Sequence, residues 1–134
     1  MASNLKYSNG TRDAQQQGLI TYAGSNALIN IYNGTQPANA NTAISTQTLL
    51  VSLPISGSFG TDSNGTITLS SVTSANATAT GTAEFFRIFK SDGTTVVMDG
   101  SVGTSGADMN LDNTSIATGQ TVTITSGTII RANQ

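Results

Sequence analysis

Through most of this chain, apolar and polar residues alternate with a period of two, interrupted by short polar runs. ALINIYN (Ala27–Asn33) puts Ala27, Ile29 and Ile31 on one face and Leu28, Asn30 and Tyr32 on the other, the spacing of a pleated strand. TLLVSLPI (Thr48–Ile55) predicts a second strand with Leu49, Val51 and Leu53 on one side. Pro54 cannot donate to a ladder, so this strand belongs at an edge or ends there. TITLSSV (Thr66–Val72) predicts a third. In TATGTAEFFRIFK (Thr78–Lys90), Phe85, Arg87 and Phe89 point one way and Phe86 and Ile88 the other. The SDG turn (Ser91–Gly93) then returns the chain through TTVVMDGSV (Thr94–Val102) as a hairpin. TVTITSGTIIRA (Thr121–Ala132) closes the series, alternating at Val122, Ile124 and Ile130.

Between these segments lie turn signals. GTQPANANTA (Gly34–Ala43) carries Gly34 and Pro37, and GSFGTDSNG (Gly57–Gly65) reads as a loop ending in the tight-turn pair Asn64-Gly65. The helical period occurs once, in TRDAQQQGLITYA (Thr11–Ala23). Ser8 or Thr11 is placed to cap it, Asp13 falls in its first turn, and Gly24 stands where the chain must leave it. Gly18 weakens it by about 1 kcal/mol relative to alanine. Residues 1–10 are polar and aperiodic and read as an arm. Strands separated by turn signals every ten residues or so predict an all-β domain over residues 11–134. The expected architecture is an antiparallel β-sandwich of jelly-roll or immunoglobulin-like type, with the arm and one short helix near 11–23.

Composition narrows the chemistry. Charged residues make up 9% of the chain, against about 25% in ordinary domains. Polarity comes instead from Thr, Ser, Asn and Gly. The abundant Thr, Val and Ile favour a folded sheet over disorder. A net charge of −2 offers no basic footprint for nucleic acid. No apolar run approaches a membrane span, and MASNLKYSNG lacks the pattern of a signal peptide. Cysteine and histidine are absent, which removes disulfides, thiolate metal sites and the commonest general base. The five N-x-S/T triplets, at Asn9, Asn33, Asn64, Asn76 and Asn113, are expected by chance in so Asn- and Thr-rich a chain.

DGSVGTSGADMNLDN (Asp99–Asn113) gathers three aspartates. Asp108, Asn110 and Asp112 have the spacing of the first calcium ligands of an EF-hand. That loop also needs glycine where Asn113 stands and glutamate where Gly119 stands, so the match fails at two defining places. The run is read instead as a strand end, a Gly-Ser turn and a short strand at Met109–Leu111, its Asp and Asn side chains serving nearby backbone groups. Glu84, the sole glutamate, is expected to be a solvent-facing partner for Arg87 or to sit at a subunit contact. No serine has a histidine to activate it, and no phosphate loop is present. The inventory predicts no enzyme and no cofactor, and its one metal alternative is a looser calcium site on Asp108, Asn110 and Asp112. Successive strand residues face opposite sides, so Phe85 and Phe86 cannot share one core; one must meet a second layer or another subunit. Together with Leu5 and Tyr7 on the arm, they are the candidate interface residues.

The ordered blocks INIYNGTQPANANTA, TLLVSLPI, GTAEFFRIFKSDGTTVVMDGSVGTSGADMNLDN and QTVTITSGTIIRA, spanning Ala27 to Arg131, resemble a group of short Thr/Gly-rich virion structural proteins of tailed bacteriophages and prophages. The helix segment departs from that pattern in its Gln run and Gly18. The resemblance implies a virion component without catalytic residues. The expected role is capsid decoration, or cement, on the outer surface of the head. The expected partners are the major capsid protein and further copies of this chain, as an oligomer such as a trimer, with no nucleic acid and no membrane. The alternative is a tail- or fibre-associated module that binds host surface glycan through exposed aromatics.

Overall fold

The computed structural model describes residues 6–70 and 72–130. The helix, α1 (Asn9–Ala23), comes first. The strands are β1 (Leu28–Asn33), β2 (Thr48–Pro54), β3 (Gly60–Ser63), β4 (Thr66–Leu69), β5 (Ala75–Asn76), β6 (Gly81–Thr82), β7 (Phe85–Phe89), β8 (Val96–Gly103), β9 (Met109–Leu111), β10 (Ser115–Ile116), β11 (Thr121–Val122) and β12 (Ile124–Ile130). The fold is all-β with one short helix, as the periodicity predicts. Its strand order differs from a jelly roll or an immunoglobulin domain. Eight strands join in one sheet, β2-β1-β7-β8-β9-β12-β4-β3, while β6–β10 and β5–β11 form two short ribbons. The sheet curls until the chain just beyond β2 meets the chain just beyond β4, through a bridge between Ile55 and Val72. Pro54 does lie on an edge strand, and the chain after β4 covers that edge: Thr73 N–H donates to the Pro54 carbonyl and Thr78 N–H to that of Leu50.

The inner face of the curl collects the alternating apolar residues. Ile29, Ile31, Val51, Leu53, Ile67, Phe86, Ile88, Met109 and Leu111 are buried in one cluster. Burying each of these side chains is worth about 1.5–3 kcal/mol, so the period of two, repeated strand after strand, is what selects this sheet face as the core. β2 departs from simple alternation. Its register on β1 shifts between Val51 and Leu49, so Leu50 is an extra residue at a bulge. Leu50 and Val51 are both buried and Leu49 is turned out, 38% exposed. Strict alternation had placed Leu49 inside. The segment expected as a loop, 57–65, also contains a strand, β3, which pairs with β4 through the Asn64-Gly65 turn. Both turn residues have positive φ, 51° and 82°, as a two-residue hairpin turn requires.

The helix starts two residues earlier than predicted, so Asn9 and Gly10 belong to it and not to the arm. Ser8 is extended, and its Oγ accepts the Thr11 N–H at 3.1 Å, satisfying one of the first-turn donors. With the cap at Ser8, Asp13 falls beyond the first turn, and its carboxylate is used elsewhere. The Gln run supplies the anchor. Gln16 is buried, and its Nε2 donates to the carbonyls of Gly65 at 2.7 Å and Ile129 at 3.0 Å, tying α1 to the β3–β4 turn and to β12.

Candidate functional site

Strand β7 is buried along its whole length on both faces. Phe86 and Ile88 belong to the inner cluster. On the outer face, register sets Tyr32 beside Phe85 and Ser101, Asn30 beside Arg87 and Asp99, and Leu28 beside Phe89 and Val96. The Tyr32 and Phe85 rings stack at 5.1 Å. Arg87 and Asp99 form a two-pronged pair, Nε to Oδ1 at 2.6 Å and Nη2 to Oδ2 at 2.8 Å, with side chains only 2% and 4% exposed. The hydrogen bond to Asp99 raises the guanidinium pKa further, against the opposing effect of burial. The loop 34–47 lies over this face: Asn39 offers its carbonyl to Arg87 Nη2 at 3.5 Å, and Glu84 Oε2 accepts the Gly34 N–H at 2.7 Å.

Glu84 therefore does not serve Arg87; Asp99 does, and Glu84 ties down the loop instead. The hairpin explains why. A regular ladder through the SDG turn would set Arg87 opposite Met98. A shift between Ile88 and Phe89 moves the register by one and brings Asp99 into line. Phe85 and Phe86 are each 1% exposed, one under the outer face and one in the core. Of the two alternatives posed for them, the second layer is the one found within the chain, and neither ring is left for a partner to cover. Tyr7 is half-buried at the helix entry. Leu5 lies outside the described residues.

The aspartate run resolves into three separate tasks. Asp99 holds Arg87. Asp108 Oδ2 accepts both the N–H and the hydroxyl of Ser101, at 2.9 and 3.0 Å, while its own N–H donates to Ser101 Oγ at 3.1 Å. Asn110 Oδ1 accepts the Ala107 N–H. These side-chain bonds fold residues 104–108 back so tightly that β9 lies parallel to β8, a pairing that ordinarily takes a crossover of roughly a dozen residues or more. Asp112 is exposed in the next turn. No group of three or more acidic side chains placed to hold a metal ion occurs among the described residues.

The remaining acids are similarly placed. Asp13 Oδ1 accepts the Gly65 N–H at 2.7 Å, and Asp62 accepts from Gln17. Asp92 caps its turn with bonds from the N–H groups of Thr94 and Thr95 and from the Thr95 hydroxyl. Those bonds, that of the hydroxyl first, hold its pKa down to about 2. Among the described aromatics, Tyr22 is the most exposed, at 51%, and Lys90 Nζ sits 3.9 Å above its ring; the phenylalanines and Tyr32 are inside. An open groove of about 350 Å³ beside β4 and β12 is lined by Leu69, Val72 and Ile124 and by hydroxyls including Thr68, Thr125 and Thr128. None of the described residues that line this groove is ionisable, so they present apolar surface and hydroxyls for contact. Comparison of the chain with protein-family models, with curated proteins and with solved structures finds no match.

Proposed function

We propose that this chain is a structural subunit of a tailed-bacteriophage particle, a decoration protein that sits on the outside of the head lattice and clamps neighbouring capsid subunits. One observation carries the reading on the side of chemistry. Six of the seven carboxylates, on Asp13, Asp62, Glu84, Asp92, Asp99 and Asp108, act as internal ties. A catalytic acid must reach a substrate; these reach turns, a loop, the helix, a neighbouring strand and a buried arginine. The ordered sequence blocks that resemble virion proteins support the same role. So does a surface whose polarity comes from hydroxyls and amides, which can pair with a like surface without desolvating charges. Copies arranged on a lattice gain strength from many weak contacts held at high effective concentration.

Immunogold electron microscopy of intact particles, with an antibody raised to this chain, tests the proposal. Label scattered over the head is the expected result. Label confined to the tail tip or fibres would replace decoration by the glycan-binding reading. Absence of the chain from purified particles by mass spectrometry would overturn both.

A further inference from the structure

Asn-Gly is the dipeptide most prone to spontaneous deamidation. The glycine nitrogen attacks the asparagine Cγ, the new C–N bond closes a five-membered succinimide, and the side-chain nitrogen leaves as ammonia. Water then opens the ring to aspartate or isoaspartate. Glycine favours the reaction because no Cβ hinders the approach. The chain contains three such pairs, Asn9-Gly10, Asn33-Gly34 and Asn64-Gly65. Two of them cannot easily be replaced. Gly65 has φ 82° and follows Asn64 at φ 51°, and Gly34 has φ 110°; side chains with a Cβ are strained in these conformations. A Cβ on Gly34 would also lie 3.2 Å from Gln47 Cγ. The fold thus needs glycine after Asn33, where the chain turns out of β1, and after Asn64, between β3 and β4.

At both positions the nucleophile itself is held. The Gly65 N–H donates to Asp13 Oδ1 at 2.7 Å, and the Gly34 N–H donates to Glu84 Oε2 at 2.7 Å. Each carboxylate comes from a distant part of the chain, 52 and 50 residues away. Attack on Cγ requires this nitrogen to lose its proton. A carboxylate is far too weak a base to take an amide proton, and a charge-assisted hydrogen bond stabilises the protonated nitrogen and fixes its direction. We propose that Asp13 and Glu84 are guards that suppress succinimide formation at Asn64 and Asn33, and that the two Asn-Gly pairs remain intact only while these long-range contacts stand. The inference is independent of the proposed particle role.

The test is peptide mapping by mass spectrometry of the full-length protein, aged at mildly alkaline pH, with aspartate and isoaspartate scored at each asparagine. Three variants are compared with the parent. Asp13→Asn and Glu84→Gln keep the shape of each guard and remove its charge. Gln16→Leu loosens the same helix–turn contact without touching the Gly65 N–H. The expected result is a crossed pattern: Asp13→Asn speeds conversion at Asn64 by roughly ten-fold and leaves Asn33 unchanged, Glu84→Gln does the reverse, and Gln16→Leu lowers the melting temperature with little change at either. Unchanged rates in both charge-removing variants would overturn the proposal. So would equal acceleration at Asn64 by Gln16→Leu and Asp13→Asn, since general loosening would then account for the effect.

Discussion

Arg87 donates two short hydrogen bonds to Asp99 beneath the 34–47 loop, where neither charge can be rehydrated if the other is lost. Breaking such a pair from one side leaves a buried charge without a partner and costs about 3–5 kcal/mol, whereas replacing both members by apolar groups of similar size is close to neutral. Asp99→Ala and Arg87→Met are each expected to lower the unfolding free energy by roughly that amount. Arg87→Met combined with Asp99→Leu should recover most of it, as read from urea denaturation across the mutant cycle. Asp92 offers a different test, because its carboxylate is fully exposed yet holds three donors from two threonines. Its folded pKa, about 2, lies below the ordinary 3.8. A depressed carboxylate stabilises the fold above its unfolded pKa, and that contribution disappears as pH falls through the folded one. Asp92→Asn should therefore melt at lower temperature than the parent at pH 6, with the gap closing between about pH 4 and pH 2. Calorimetric scans across that range check it. Residue patterns anticipated the turn at Asp92 from its Ser-Asp-Gly context. The partner of Arg87 was hidden from them, because a one-residue shift in register between Ile88 and Phe89 leaves no mark in the pattern.

Among whole elements, the sheet was the most legible part. A period of two survives any curling, so β1, β7 and β8 fall where alternation puts them, and Asn64-Gly65 announces its hairpin through the φ values it must adopt, whereas the single strand expected over 121–132 divides into β11, which pairs with β5, and β12, whose register shifts between Ile124 and Ser126. Bulges were not legible. Leu50 turns inward and Leu49 outward because backbone geometry at the bulge overrides side-chain order. The tight parallel return of β9 on β8 depends on Ser101 and Asp108 meeting in space. The helix is correct in kind and in its cap, yet its fit to the sheet rests on Gln16, a residue whose type predicts exposure. Two glycines with opposite surroundings test these elements. Gly18 lies on the exposed side of α1, with nothing within 4 Å of an added Cβ, so Gly18→Ala should stabilise by about 1 kcal/mol through helix propensity alone. Gly100 lies directly across from Phe86, and an added Cβ would come within 2.4 Å of the ring. That ring is packed in the core and cannot swing away, so Gly100→Ala should cost about 1–3 kcal/mol. Opposite shifts of the two variants in thermal melts are the expected outcome.

For the molecule as a whole, the question is which surface meets a neighbour. The candidates drawn from the strands, Phe85 and Phe86, are consumed by the fold itself, so the decoration reading now leans on the polar segment ahead of the helix. That segment is shorter than it looks in the sequence. Ser8 caps α1 and Asn9 begins it, and removing residues 1–10 would cut away the cap together with any clamp; loss of a cap alone costs about 1 kcal/mol. A deletion confined to residues 2–6 keeps Tyr7, Ser8 and the whole helix, and so separates binding from stability. If the arm grips the head lattice, this variant should melt like the parent and yet bind heads stripped of the native protein at least about tenfold more weakly, the equivalent of one modest anchoring contact. Cosedimentation with stripped heads measures it, and because lattice avidity masks weak losses, the comparison belongs at low occupancy. Equal binding by the two proteins would remove the arm from the clamp and return attention to the exposed faces, first to the hydroxyl-lined groove beside β4 and β12, where Thr125→Arg would then be the substitution expected to abolish attachment without disturbing the core.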